Sequence, residues 1–125
     1  MMSILYSLLS GITFTSFGWG DDLGEYHRIE SKDAKKMIDE GGVTIVDVRT
    51  REEFELGHIE NAILIPVETI GETEPKELPD KNATILIYCR TGRRSRDAAM
   101  KLLRMGYQNV YDFGGILEWD YDIVM

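Results

Sequence analysis

Two short apolar runs rich in β-branched residues stand out along this chain of 125 residues, at positions 44–48 and 84–88. Runs of this length and composition are typical of parallel strands that are buried on both faces. Apolar residues recur at helical spacing in two other segments, 29–41 and 96–105. We therefore predict two buried strands and two helices as the framework of the fold.

Local capping and turn residues place the remaining elements. Ser31 is the predicted N-cap of the first helix, and Gly106 is predicted to end the second. Thr50 and Glu53 form a capping-box pattern, which predicts a short helix that ends at Gly57. The other predicted elements are a strand at 62–65, a long loop or irregular helix at 69–82, a short strand at 110–112 and a last helical segment that carries Trp119.

The alternation of strands and helices predicts an α/β domain with a mainly parallel central sheet and helices on both faces. Ligands of such sheets bind at the carboxyl ends of the strands. Asp47 and Arg49 lie at the end of one buried run, and Cys89 directly follows the other. We therefore expect these three residues to lie at the same edge of the sheet.

The first 25 residues differ from the rest of the chain, because residues 1–20 are strongly apolar and carry no charge. A signal peptide would add a basic start and a small-residue cleavage site, and both are missing. A membrane span needs about 20 predominantly apolar residues, and serines and threonines dilute this run. We expect an export or anchoring remnant, or a replaced leader, with a polar linker up to residue 25, and the folded domain at 26–125. The domain as it stands predicts a cytoplasmic protein; export or membrane anchoring through residues 1–20 is the alternative.

Charge and cysteine content exclude several classes of function. The formal net charge is -8, which argues against nucleic acids and anionic membrane surfaces as main partners. A single cysteine cannot form an internal disulfide, so the fold needs no oxidising compartment. His27 and His58 are far apart and have no metal-ligand spacing with other residues. We predict that the protein uses neither a metal nor a cofactor.

The chemistry of the chain concentrates in the turn that begins at Cys89. Four arginines crowd into residues 90–96, although the chain as a whole is acidic. Arginines at a helix N-terminus oppose the helix dipole, so helix stability does not explain them. Backbone N–H groups of a strand-to-helix turn favour negative charge, and a cysteine there is favoured as the thiolate. These features predict an anion site around a nucleophilic Cys89; the alternative is a solvated basic face beside an exposed thiol.

The turn resembles the active-site loop of the rhodanese family, the thiosulfate sulfurtransferases. Its residues are Cys89, Arg90, Thr91, Gly92, Arg93, Arg94 and Ser95. Three further segments resemble signatures of the family and occur in the expected order. They are Ile45-Val46-Asp47-Val48-Arg49 with Glu52-Glu53-Phe54, Gly57-His58-Ile59-Glu60-Asn61-Ala62-Ile63-Leu64-Ile65-Pro66, and Phe113-Gly114-Gly115-Ile116 with Trp119. The resemblance runs over residues 29–119, with Glu60-Asn61 in place of the usual Pro-Gly.

The resemblance implies a single-domain sulfurtransferase with the rhodanese-like fold. Cys89 would attack the outer sulfur of thiosulfate, or of another sulfane-sulfur donor, and pass the resulting persulfide sulfur to cyanide or to a small-molecule or protein thiol. The remaining loop residues, Arg90, Thr91, Gly92, Arg93, Arg94 and Ser95, would bind the anion. Asp47 and Arg49 would hold the loop, or would form an ion pair that is only structural.

Two alternative functions keep the same loop. A persulfide carrier or interaction module would pass sulfur between proteins, and it would need an exposed docking patch beside Cys89. A phosphatase or arsenate reductase related to this family would need five residues between the cysteine and an arginine. Here the sixth residue after Cys89 is Ser95, and Arg94 comes one position earlier, so the shorter loop favours transfer of a sulfur atom.

Overall fold

The computed structural model describes residues 24–125, and its centre is a sheet of five parallel strands. The strands are β1 (Glu25–Arg28), β2 (Val43–Asp47), β3 (Ile63–Leu64), β4 (Thr84–Cys89) and β5 (Asn109–Gly115). Their order across the sheet is β1-β5-β4-β2-β3. The predicted parallel α/β architecture is therefore confirmed, and the strand that ends in Cys89 lies in the middle.

Helices cover both faces of the sheet. They are α1 (Ser31–Glu40), α2 (Arg51–Leu56) and α3 (Arg93–Arg104), with 3₁₀ turns at Val67–Thr69 and Ile116–Glu118. Along β4, Ile85 and Ile87 pack in the same apolar cluster as α3, whereas Leu86 and Tyr88 pack in the cluster that contains Ala34 of α1. Because successive side chains of a strand point to opposite faces, burial on both sides requires the continuous apolar run seen in the sequence.

The first helix begins at Ser31, within the predicted segment 29–41, and the predicted N-cap is wrong because Ser31 is already helical. Ile29 still belongs to the extended chain, because its N–H donates to the Asp112 carbonyl at 3.0 Å. Glu30 is the N-cap, and its backbone N–H donates to the Asp33 carboxylate at 3.3 Å. The Ser31 hydroxyl instead donates to the carbonyl of Glu118 at 3.3 Å, so a contact that is distant in sequence takes this side chain.

The helix after Cys89 begins three residues earlier than predicted and ends as predicted. Gly92 has a φ of 112°, and α3 starts at the next residue. At the other end Gly106 has a φ of 99°, its N–H donates to the Leu103 carbonyl, and the Tyr107 N–H donates to the Leu102 carbonyl. These two hydrogen bonds form a Schellman motif, which suits glycine. Arg93 and Arg94 therefore lie in the first turn of α3 rather than in the turn before it.

The remaining predictions concern the capping box, the last strand, Trp119 and the N-terminal segment. The capping box of Thr50 and Glu53 is confirmed, with the Glu53 N–H on the Thr50 hydroxyl at 3.2 Å. Strand β5 extends to Gly115, beyond the predicted 110–112, because it continues to pair with β4 through Cys89. Trp119 follows the last 3₁₀ turn instead of lying within it. Residues 1–23, which hold most of the predicted leader and linker, lie outside the described residues.

Candidate active site

Cys89 is the last residue of β4, and its side chain has no exposed surface. The backbone N–H of Gly92 donates to the Cys89 sulfur at an N–S distance of 2.9 Å. Gly92 reaches this position with its positive φ, a conformation that glycine adopts without a steric penalty. The chain after Cys89 thus folds back over the sulfur, and a backbone donor is already aimed at it.

The arginines of the turn have different environments. Arg94 forms two hydrogen bonds with the Glu53 carboxylate, at 2.7 and 2.9 Å, and these bonds lower the pKa of Glu53 from 4.5 to about 2. Arg90 and Arg93 are exposed, and within residues 24–125 neither forms an ion pair. Arg94 therefore fastens α3 to α2, while Arg90 and Arg93 leave their charge available to an incoming anion.

Asp47 and Arg49 form a buried ion pair at the carboxyl end of β2. The Arg49 Nη2–Asp47 Oδ2 distance is 2.7 Å, and the two side chains are 6% and 0% exposed. Arg49 also donates to the Gly57 carbonyl at 2.7 Å and lies over the Tyr88 ring. Burial, followed by the Asp47 charge, raises the pKa of Tyr88. The ion pair thus joins β2 to the turn after α2. That it also holds the Cys89 turn in place stays a prediction.

Sequence reasoning missed Asp112, which lies on β5 on the other side of β4. Its carboxylate is 1% exposed and accepts hydrogen bonds from the Ser95 hydroxyl at 2.7 Å and from the Tyr26 hydroxyl at 2.7 Å. Ser95, fully buried, lies with its oxygen 3.6 Å from the Cys89 sulfur. The available signal was an acidic residue inside an otherwise apolar strand, because a buried charge needs partners.

An apolar groove opens beside the turn, with a volume of about 320 Å³. It is lined by Arg49, Glu53, Leu56, Gly57, Arg90, Ile116, Leu117 and Ile123. Leu56, Leu117 and Ile123 are 78%, 62% and 49% exposed, which is unusual for side chains of this size. The Leu117 N–H donates to the Arg90 carbonyl at 3.3 Å, so the groove is continuous with the Cys89 turn.

Outside the Cys89 turn, the described residues show no sign of a metal site or of a free catalytic histidine. Residues 24–125 contain no group of three or more His, Cys, Asp or Glu side chains that could hold a metal ion. The Nδ1 atom of His58 lies 2.8 Å from the Phe54 carbonyl oxygen, and its ring stacks on Phe54. That nitrogen is therefore occupied within the fold. In the same part of the chain, no helix is both long and apolar enough to cross a membrane.

Comparison with known proteins identifies the fold and its family. Residues 30–122 match the family described as rhodanese-like domain. A rhodanese of E. coli, solved with anions, is 36% identical with a TM-score of 0.60; the match covers 65% of this chain and 95% of that one. A rhodanese-like domain protein of Staphylococcus aureus is 36% identical with a TM-score of 0.68, over 79% of this chain and 97% of that one. Both are therefore single domains of this kind.

A curated relative of greater length carries a different name. The tRNA uridine(34) hydroxylase of Erwinia tasmaniensis is 35% identical over 114 residues, which are 87% of this chain and 32% of that protein. The chain thus spans less than a third of the length of this relative. The matched residues, the parallel sheet and the cysteine at the end of its central strand agree: the chain belongs to the rhodanese-like domain family.

Proposed function

We propose that this protein is a sulfurtransferase that takes sulfane sulfur from thiosulfate onto Cys89 and passes it to a thiol or to cyanide. The observation that carries the proposal is the position of the only cysteine, at the carboxyl end of the central strand, with the Gly92 N–H donating to its sulfur. Backbone donors aimed at sulfur stabilise a thiolate and the persulfide anion that replaces it.

The reaction proceeds in two displacement steps. The Cys89 thiolate attacks the outer sulfur of thiosulfate, a new S–S bond forms, and the old S–S bond breaks as sulfite leaves with its electron pair. An acceptor thiolate or cyanide then attacks the outer sulfur of the persulfide and releases the Cys89 thiolate. Arg90 and Arg93 attract the thiosulfate dianion and stabilise the departing sulfite, because charge-assisted hydrogen bonds to anions are strong.

The burial of Cys89 requires a movement before the first step. Leu117 donates to the Arg90 carbonyl, and Gly115 lies so close to the same carbonyl that a Cβ there would collide with it. The chain at and after the end of β5 therefore contacts the Cys89 turn at Arg90, and we expect the segment Ile116–Glu118 to move when thiosulfate enters.

Mass spectrometry tests the proposal directly. After incubation with thiosulfate, the intact protein should gain the mass of one sulfur atom, and cyanide should remove it with formation of thiocyanate. The Cys89→Ser variant should show neither change, because the chain has no second thiol. An unmodified wild-type protein with a native circular dichroism spectrum would contradict the proposal.

A second candidate function is a persulfide relay to a protein acceptor, and the apolar groove favours it. Thiosulfate and cyanide are small anions that gain nothing from apolar contacts with Leu56, Leu117 and Ile123. A polypeptide acceptor, in contrast, can bury the apolar side chains next to its cysteine in this groove. The exposed Arg90 at the rim suits an acceptor with acidic residues near its cysteine. This observation concerns the acceptor and leaves the first step unchanged.

The groove is tested with a synthetic peptide in which leucines and a glutamate flank one cysteine. The Leu56→Ser variant should pass sulfur to this peptide several-fold more slowly, and to cyanide at the wild-type rate, because Leu56 lines the groove and lies outside the segment Ile116–Glu118. Met125→Ser serves as a control, because Met125 is 92% exposed and does not line the groove. Equal rates for peptide transfer in all three proteins would exclude the relay through this groove.

The proposal does not extend to the hydroxylase activity in the relative's name. This chain matches only 32% of that protein, and its net charge of -8 disfavours binding of RNA. Its chemistry is therefore assigned from the Cys89 turn alone.

A further inference from the structure

A buried network of hydroxyl groups and one carboxylate lies on the β5 side of Cys89. Asp112 Oδ1 accepts from the Ser95 hydroxyl at 2.7 Å and from the Gly114 N–H at 2.9 Å, and its Oδ2 accepts from the Tyr26 hydroxyl at 2.7 Å. Within residues 24–125 Asp112 forms no ion pair. A buried carboxylate is thus held by neutral donors beside the candidate nucleophile.

The Ser95 hydroxyl has a single proton and two lone pairs, so its contacts compete. Its oxygen is 2.7 Å from Asp112 Oδ1, 3.0 Å from the Gly92 carbonyl and 3.4 Å from the Gly114 carbonyl. The Asp112 carboxylate is the strongest of these acceptors and the nearest, so the Ser95 hydroxyl donates its hydrogen bond to it. A lone pair is then available to the Cys89 sulfur at 3.6 Å, which can donate its S–H.

This arrangement suits the protonated thiol and changes when the sulfur is negative. A thiolate has no proton to donate, and it needs donors instead. Gly92 supplies one, and the Ser95 hydroxyl can supply another only if its proton turns from Asp112 toward the sulfur. Asp112 then keeps its hydrogen bonds from Gly114 and Tyr26, so its carboxylate is not left without donors.

We propose that Asp112 is a positioning residue that acts through Ser95, by holding or releasing the hydroxyl proton that stabilises negative sulfur on Cys89. The inference rests on the proposed function of Cys89 as the sulfur carrier. By this inference, a residue outside the Cys89 turn controls how readily the Cys89 thiol loses its proton and becomes a nucleophile. Asp112 itself does not touch the substrate.

The charged and titratable groups around this network come from two neighbouring elements, β1 and α3. Tyr26 and Arg28 extend from β1, with the Arg28 guanidinium against Gly114, and Arg96 of α3 lies over the Tyr26 ring. Burial, with the hydrogen bond to Asp112 next, raises the pKa of Tyr26, so this hydroxyl stays a donor at neutral pH. Arg94, also on α3, is the charged side chain whose electrostatic interaction reaches Cys89.

The test measures the rate of alkylation of Cys89 by iodoacetamide as a function of pH, with no sulfur donor present. In Asp112→Asn the amide oxygen can still accept from Ser95 and Gly114, but a neutral acceptor holds the Ser95 proton less strongly. The midpoint of the alkylation curve should therefore move to lower pH by about one unit. Tyr26→Phe, which leaves the Asp112 carboxylate with fewer donors, should move the midpoint in the opposite direction.

The decisive comparison repeats Asp112→Asn in the Ser95→Ala background. If Asp112 acts through the Ser95 hydroxyl, the shift disappears there. If the same shift persists, the carboxylate acts on the sulfur directly by its charge, and the proposal is overturned; no shift in either background overturns it too. Tyr26→Phe, at a half-buried position, keeps the test available should Ser95→Ala not fold. Because alkylation needs no thiosulfate, its result is independent of the persulfide experiment that tests sulfur transfer.

Discussion

The two strands that flank β4 each carry a buried aspartate, and the two carboxylates are held in different ways. Asp47 of β2 is neutralised by the Arg49 guanidinium, while Asp112 of β5 receives hydrogen bonds from two hydroxyls and one N–H. The β2 side has a second ion pair, between Glu53 and Arg94, which ties α2 to α3. The β2 side is thus built from paired charges.

The difference has a consequence for Cys89, the proposed nucleophile, which lies between the two strands. A guanidinium fork keeps its protons, so the Asp47–Arg49 pair has one arrangement and acts as a fixed frame. A hydroxyl can turn its proton from one acceptor to another, so the Asp112 side can adjust when Cys89 changes its charge. In the proposed mechanism, the fixed pair on one side and the adjustable network on the other let the surroundings of the sulfur follow its change of charge.

The largest expected effect comes from breaking the ion pair on the β2 side. Arg49→Ala leaves the Asp47 carboxylate buried without its counter-charge, and loss of one partner of such a pair costs about 3–5 kcal/mol of unfolding free energy. Asp112→Asn keeps an acceptor for Ser95 and Gly114 and removes the one for the part-buried Tyr26 hydroxyl, so it should cost no more than about 1–2 kcal/mol. Urea unfolding of the two variants measures the difference.

A double variant serves as the control for this comparison. Asp47→Ala with Arg49→Ala removes both charges and should be more stable than Arg49→Ala alone, because no unpaired charge remains. If the two free energies of unfolding are equal, the ion pair does not account for the loss.

The next largest effect distinguishes Arg94, which is paired with Glu53, from the exposed Arg90 and Arg93. Arg90→Gln and Arg93→Gln should each raise the KM for thiosulfate by about tenfold, the effect of losing one charge-assisted contact, and should leave stability unchanged. Arg94→Gln should instead lower stability, because Arg94 is already paired with Glu53. Steady-state kinetics and thermal unfolding distinguish the two patterns. An unchanged KM in both exposed-arginine variants would mean that the anion binds elsewhere.

The smallest effect is a pH dependence on the β2 side. The pKa of Glu53 is lowered from 4.5 to about 2, chiefly by its hydrogen bonds with Arg94. The ionised Glu53 carboxylate therefore contributes to the free energy of unfolding above pH 4.5, and this contribution is lost as the pH falls toward 2. Wild-type protein should therefore lose more stability over this range than Glu53→Gln does. Parallel loss in the two proteins would show that solvent screens the pair, since both side chains are partly exposed.

The first helix shows where reasoning from local sequence stops. Ser31 is a better N-cap by residue preference than Glu30, yet Ile29 is held in extended conformation by a hydrogen bond to β5, and Ser31 bonds to Glu118. Likewise α3 starts at Arg93 because Gly92 bends back to the Cys89 sulfur. In both cases a tertiary contact decided between local alternatives of similar energy.

The sequence by itself determined the parallel α/β fold, the capping box at Thr50, the end of α3 at Gly106 and the position of Cys89 after a buried strand. These features depend on burial pattern and on backbone preferences of residues close together in the chain. Only the tertiary structure decided that Arg94 pairs with Glu53, that Asp112 holds Ser95, and that Leu56 meets Leu117 in one groove. The first two contacts join residues 41 and 17 positions apart, so no local pattern specifies them. They exist because the sheet brings β2, β4 and β5 side by side.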